Sequence, residues 1–152
     1  MPNSAIADTS SLIALEKINS LNILCKIYDT VLLPEAVFRE FGASYPPCFA
    51  VKKIESPFIE FLVGDLNLGR GEAEVIALAK ETGQRIIMDE LKGRNIAKGL
   101  GFNVTGTVGI LLKAEKLHFI ASAYEKMREL KGKGFYISDQ LLDEISKFTI
   151  KK

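Results

Sequence analysis

Ala5-Ile6-Ala7-Asp8-Thr9-Ser10-Ser11-Leu12-Ile13-Ala14-Leu15 is the stretch that decides the fold. Ala5-Ile6-Ala7-Asp8 is a short apolar run closed by one acid, which predicts a buried strand. Thr9-Ser10-Ser11 supplies hydroxyls of the kind that cap helices, and Leu12, Ile13, Leu15 and Ile18 then recur at helical spacing. The order is strand, polar turn, helix.

The same alternation continues outward from this opening. A helix is expected over Leu21 to Ile27, a β-branched strand over Thr30-Val31-Leu32-Leu33, and a helix from Pro34 through Ala36, Val37, Phe38 and Phe41. Gly42 and Pro46-Pro47 close that unit. Ser56 to Val63 alternates as a strand does, and Gly69-Arg70-Gly71 introduces a helix whose apolar face is Ala73, Ile76, Ala77 and Ala79, ended by Gly83. Strand Arg85-Ile86-Ile87-Met88-Asp89, helix Leu91 to Leu100, strand Phe102-Asn103-Val104-Thr105 and helix Val108 to Leu117 follow, before helices over Phe119 to Leu130 and Ser138 to Phe148. Strand-helix units joined by short turns require right-handed crossovers, so the expected class is α/β, a mostly parallel sheet with helices on both faces.

The chain has 152 residues, 47% of them hydrophobic, enough for one domain with a core of its own, and a single domain over 1–152 is expected. A formal net charge of +1 gives no global basic field, so any polyanion site must be local. Cys25 and Cys48 have neither CxxC spacing nor the density of a secreted disulfide scaffold, so a reducing, cytoplasmic setting is expected. No apolar run approaches the ~20 residues that span a bilayer, so no membrane partner is expected. The only histidine, His118, lies between two apolar helical stretches and reads as a boundary or surface residue, which removes Ser-His-Asp and Cys-His chemistry. No GxxxxGK[ST] is present, and Gly69-Arg70-Gly71 lacks the third glycine of a dinucleotide loop. A phosphotransferase with Asp8 as nucleophile lacks the second aspartate two residues on.

Carboxylates are what remains. In an open parallel sheet ligands bind beyond the carboxyl ends of the strands, where Asp8 and the Asp89-Glu90 pair fall. A buried acid costs several kcal/mol unless it is paired, hydrogen-bonded or bound to a cation; capping of the next helix is the alternative use for Asp8 and Asp89. Glu40 borders the apolar stripe of its helix, and Glu72 and Glu74 open the next one, where the helix dipole favours acids in any case. Positions two apart diverge on a helix, so only one of those two belongs to a shared site. Several carboxylates meeting at one point require hard cations with oxygen ligands, Mg²⁺ or Mn²⁺, and such ions activate water and orient a phosphodiester. Thr9, Ser10 and the Thr105-Gly106-Thr107 turn add hydroxyls and N–H groups, either as caps or as phosphate contacts. Arg39, Arg70, Lys92 and Arg94 are the cations beside acidic elements, with Arg94 also placed to pair with an acid of the site.

These segments resemble a known family. Ala7-Asp8-Thr9-Ser10 with Leu12-Ile13-Ala14-Leu15 resembles the opening of PIN-domain proteins, including the ribonuclease toxins of the virulence-associated toxin-antitoxin class. Glu40, the alanine-rich Gly71-Glu72-Ala73-Glu74-Val75-Ile76-Ala77-Leu78-Ala79, and Ile86-Ile87-Met88-Asp89-Glu90 resemble its later acidic elements. Lys92-Gly93-Arg94-Asn95-Ile96-Ala97 and Val104-Thr105-Gly106-Thr107-Val108-Gly109 are similar to one prokaryotic branch. The resemblance implies a three-layer α/β/α sandwich, a Mg²⁺ or Mn²⁺ site, RNA cleavage, dimerisation and restraint by an antitoxin protein. It makes Asp8, Glu40, Glu72 and Asp89 the metal ligands, with Glu90 the rival for the last place. A PIN module that binds nucleic acid or an antitoxin without cutting is the second reading. Apolar faces over Leu12 to Leu24, with Phe38 and Phe41, are the candidate surface for a homodimer or an antitoxin helix.

Overall fold

The computed structural model describes residues 3–150. Five parallel strands, β1 (Ser4–Ala7), β2 (Thr30–Pro34), β3 (Phe49–Lys52), β4 (Arg85–Ile87) and β5 (Val104–Thr105), form one sheet in the order β3-β2-β1-β4-β5. All four residues of β1 are buried although successive side chains leave opposite faces of a strand, so both faces of the sheet are covered. The register runs Ala5 beside Val31 and Arg85, and Ile6 beside Leu32 and Ile86.

The helices are α1 (Thr9–Lys17), α2 (Ile23–Ile27), α3 (Glu35–Phe41), α4 (Pro57–Gly64), α5 (Arg70–Thr82), α6 (Leu91–Gly99), α7 (Thr107–Lys116), α8 (Ala123–Gly132) and α9 (Asp139–Ile150). In one outer layer α5 crosses β1, β2 and β4 and gathers α3, α4 and α6 around it. In the other, α1 and α2 pack against α7, which carries α8 and then α9. This is the three-layer α/β/α sandwich that the resemblance implies, and its parallel sheet with helices on both faces is what the alternation of elements predicts. The core is continuous across the layers, with Ile6, Leu12, Leu15, Leu33, Ile76 and Ile86 fully buried.

Three expectations need correction. Ser56 to Val63 is not a strand: Ser56 caps α4 by accepting the Phe58 N–H at 3.2 Å, Pro57 opens the helix, and Ile59 and Leu62, three apart, form its buried side. The strand that does lie in this region is β3, at the sheet edge, where only Phe49 of its four residues is buried. Second, the helix expected from Phe119 begins at Ala123, because the Ser122 hydroxyl caps it through the Glu125 N–H. Third, Cys25 and Cys48 are joined in a disulfide, with Cα atoms 5.7 Å apart. Their sequence spacing gave no hint of it, because the pairing is made by the fold: α2 precedes β2, and residue 48 enters β3, the neighbour of β2. His118 is exposed at the end of α7, as a boundary histidine should be. Among the described residues no helix is long and apolar enough to cross a membrane.

Candidate functional site

The strand order creates the site. From β1 the chain moves outward to β2 and β3, then returns to lay down β4 and β5 on the other side. Crossovers leaving β1 and β4 diverge, and a crevice opens beyond the carboxyl ends of those two strands. Asp8 follows β1, and its N–H still bonds the Ile87 carbonyl at 2.9 Å, so the sheet ladder holds its backbone rigidly. Asp89 and Glu90 follow β4, held in place by the Met88 N–H on the Thr105 carbonyl at 2.9 Å.

The crevice is a cleft of about 330 Å³ lined by four acids, Asp8, Glu40, Glu72 and Glu90, together with Thr9, Ser10, Ile13, Gly69 and Gly71. Each acid comes from a different element. Asp8 is 3% exposed and, although it stands at the N-cap position of α1, its side chain makes no capping bond. The carboxylate lines the cleft instead, with the Ser10 hydroxyl 3.5 Å away. Glu40 accepts the Thr9 hydroxyl at 2.8 Å, which ties α3 to the start of α1. Glu72, in the first turn of α5, accepts the Gly69 N–H at 3.2 Å. Glu90 caps α6, accepting the Gly93 N–H at 2.8 Å and the Lys92 N–H at 3.2 Å, and it shares a hydrogen bond with Glu72.

Glycines make room for these carboxylates. A Cβ on Gly71 would stand 2.4 Å from Glu40 Oε1, and one on Gly93 would stand 3.2 Å from Glu72 Oε2 and 2.7 Å from Met88 Sδ. Both glycines lie in the first turn of a helix, where alanine is the better helix former. Close approach of an acid is the compensating reason. A glycine near the start of α5 and of α6 is the trace of this in the sequence.

Asp89 lies beside this cleft rather than in its wall. Its carboxylate accepts the Thr107 N–H at 2.8 Å, the Thr107 hydroxyl, and the Ser11 hydroxyl at 2.9 Å. It thereby joins the starts of α1 and α7. A Cβ on Gly106 would stand 2.6 Å from Asp89 Oδ1 and 2.7 Å from Arg94 Nη1, so both side chains converge on that glycine. Ser11 was considered from sequence only as a helix cap; its hold on Asp89 depends on a contact across 78 residues. Glu74, the other acid of α5, is buried away from the cleft, where it accepts the Ala36 N–H and Arg70 Nε, each at 3.0 Å.

The cations are less uniform. Arg70 is engaged by Glu74 and, at 2.8 Å, by Glu60. Arg94 donates to the Met88 carbonyl at 3.0 Å, and Lys92 Nζ to the Asn67 carbonyl at 3.4 Å. Arg39 stands exposed on α3 with Glu35 at 4.0 Å.

Electrostatics follow from burial. Desolvation, reinforced by the charges of Glu40 and Asp89 against hydrogen bonds from Thr9 and Ser10, lifts the Asp8 carboxyl to about 6. Burial and the hydrogen bond with Glu90 lift Glu72 to about 7, while the Gly93 N–H holds Glu90 below its ordinary range. One proton shared between two carboxylates is the relief available without a cation. The donor set is carboxylate and hydroxyl oxygen throughout, the set that a hard divalent cation takes, and the glycine cradles hold Glu40 and Glu72 at the cleft. The residues fit such an ion in kind. Among the described residues, no three acids are already drawn into an ion-holding cluster.

An open parallel α/β domain with carboxylates gathered at its switch point has the frame of a nuclease-type domain. A family model described as a PIN domain matches residues 4–150, and the chain belongs to that family. PIN-domain proteins are generally nucleases that use divalent metals. No curated protein matches the chain in sequence.

Proposed function

We propose that this protein is a Mg²⁺- or Mn²⁺-dependent endoribonuclease, the toxin of a type II toxin-antitoxin pair. The observation that carries the reading is the convergence of Asp8, Glu40, Glu72 and Glu90 on one cleft from four separate elements. Bound there, a divalent cation would supply a Lewis acid for the phosphodiester and lower the pKa of attacking water. Asp8 is the central ligand, since its backbone is fixed by the sheet and, among the described residues, its buried carboxylate is in no ion pair. Glu40 and Glu72 are the flanking ligands. For the fourth, Glu90 lines the cleft, whereas Asp89 acts from behind it, with its oxygens occupied by Thr107 and Ser11. Thr9 and Ser10 orient Glu40 and Asp8, and Thr107 orients Asp89. Arg39 is the exposed cation placed to meet an RNA phosphate, with Arg70 and Arg94 contributing from more engaged positions.

Homodimerisation, an antitoxin partner and a cytoplasmic setting belong to the same reading. Support for a partner surface comes from Phe38, 39% exposed beside Tyr45 on the rim of α3. The disulfide pulls against a reducing compartment. A second reading, a PIN module that binds RNA or a protein without cutting, is favoured by the engagement of Asp89 and by the absence of a preformed ion-holding cluster among the described residues.

Mn²⁺-dependent cleavage of a panel of structured RNAs by the wild type and by Asp8→Asn separates the two. The nuclease reading expects cleavage by the wild type and at least a 100-fold loss in a folded Asp8→Asn protein. Equal cleavage by both rejects the site. Metal or RNA binding without cleavage in either establishes the binding module.

A further inference from the structure

At the opposite end of β4 from the acids, a second pocket of about 250 Å³ is lined by Tyr28, Arg85, Asn103, Val104, Thr105 and Lys113. Two full positive charges line it, and no carboxylate does. They arrive from different elements, Arg85 from the first position of β4 and Lys113 from the last turn of α7. Tyr28, at the entry to β2, brings them together: Lys113 Nζ lies 5.2 Å from the centre of its ring, and burial raises the Tyr28 pKa against the nearby Arg85 charge. Tyr28 itself is 2% exposed, which makes the floor of the pocket rigid.

Like charges placed side by side repel, and among the ion pairs of the described residues neither Arg85 nor Lys113 takes part. The strain is visible on Lys113, whose affinity for its proton is lowered by burial and by the neighbouring Arg85. The remaining lining groups are donors or amphoteric. Asn103 offers an amide and Thr105 a hydroxyl. Because the Asn103 and Thr105 carbonyls accept bonds from β4, the Val104 N–H between them turns toward the outer edge of the sheet. A planar guanidinium fork beside a point-like ammonium is the pairing that recognises a tetrahedral oxyanion. The volume lies below the range of pockets that enclose a drug-sized ligand and suits one small charged group.

We propose that the Arg85–Lys113 pocket is a phosphate-binding site, separate from the acidic cleft. Two sources share that chemistry, a free phosphate or mononucleotide and a backbone phosphate of an RNA strand. Four residue steps separate Arg85 from Asp89, which sets the pocket roughly 13 Å along the sheet from the end that carries the acids. Only the second source rests on the nuclease reading.

The test is calorimetric titration, in chelator, of inorganic phosphate, a 5′-mononucleotide and a single-stranded oligoribonucleotide into the wild type, Arg85→Gln/Lys113→Gln and Asp8→Asn. The expected result is binding of at least one probe by the wild type, weakened 10-fold or more in the double variant and retained in Asp8→Asn. Binding of phosphate or mononucleotide identifies a small-ligand site; binding of the oligonucleotide alone identifies an RNA contact. Binding by none of the three, equal binding by wild type and double variant, or loss of binding in a folded Asp8→Asn overturns the proposal. If the double variant does not fold, amide chemical-shift mapping on the wild type decides: phosphate-induced shifts must centre on Arg85, Val104 and Thr105, and shifts centred elsewhere overturn it. Mn²⁺ binding to the same proteins reports on the acidic cleft independently.

Discussion

At the scale of single residues, the cleft depends on side chains that are absent as much as on those present. Gly71 is buried in α5 against the tip of Glu40, and alanine there places a methyl 2.4 Å from Oε1. The obstacle is the far end of a flexible side chain, so Glu40 swings aside and the fold survives. Alanine is also the better helix former, by less than the ~1 kcal/mol of a helix interior because Gly71 sits in the first turn. Gly71→Ala is therefore expected to leave the melting temperature within a few degrees of wild type while weakening Mn²⁺ binding about 10-fold, read by calorimetry alongside thermal melting. Unchanged metal affinity would remove Glu40 from the ligand set. Ser11→Ala probes Asp89 by another route. Loss of one hydroxyl from that carboxylate leaves two bonds from Thr107, and is expected to cost about 1 kcal/mol of stability, measured by urea denaturation. A loss of cleavage far beyond that loss of stability would show that the orientation of Asp89 serves the chemistry.

Elements were legible from sequence in proportion to how locally they are determined. Strands β1, β2, β4 and β5 and the helices between them carry their own punctuation, caps and glycines, within a few residues. α4 was misread because Phe58, Ile59, Phe61 and Leu62 satisfy alternation and helical spacing alike, and Ser56-Pro57 settles the matter only if it is read as a cap. β3 was missed because an edge strand with one buried residue in four has little pattern to show. Acids at strand ends were found because topology places strand ends together; the division of labour between Asp89 and Glu90 was not, since it depends on where Ser11 and Thr107 fall in space. The disulfide is likewise a product of tertiary structure. It spans 23 residues of chain that include β2 and α3, the carrier of Glu40. Closing a loop of that length contributes roughly 3 kcal/mol in the chain-entropy account, so dithiothreitol or Cys25→Ser/Cys48→Ser is expected to lower the melting temperature by several degrees. An unchanged melting temperature on confirmed reduction would show that packing alone holds the segment.

For the whole molecule, the acidic cleft makes stability depend on pH and on metal together. In the metal-free folded state Asp8 keeps its proton up to about pH 6, against a reference value of 3.8, and Glu72 up to about 7, against 4.5. Between those limits the native state binds more protons than the unfolded chain, so stability must fall as pH rises. Their contribution is complete at acid pH and is lost once both carboxyls ionise. Glu90 acts in the opposite sense, because its lowered value gives stability that disappears as pH falls through the carboxylate range. The decline therefore runs from about pH 4, where Asp8 ionises in the unfolded chain, to about pH 7, and Asp8 alone accounts for roughly 3 kcal/mol of it at ~1.36 kcal/mol per pKa unit. A divalent cation reverses the sign, since it binds the ionised carboxylates and releases the protons. Melting in chelator is thus expected to show a falling temperature from pH 5 to 8, and Mn²⁺ is expected to raise the pH 8 value more than the pH 5 value. In Asp8→Asn, which carries no proton to lose at that position, both the decline and the metal response should shrink. If the variant instead reproduced the wild-type profile with and without Mn²⁺, the coupling of proton and metal at Asp8 would be excluded.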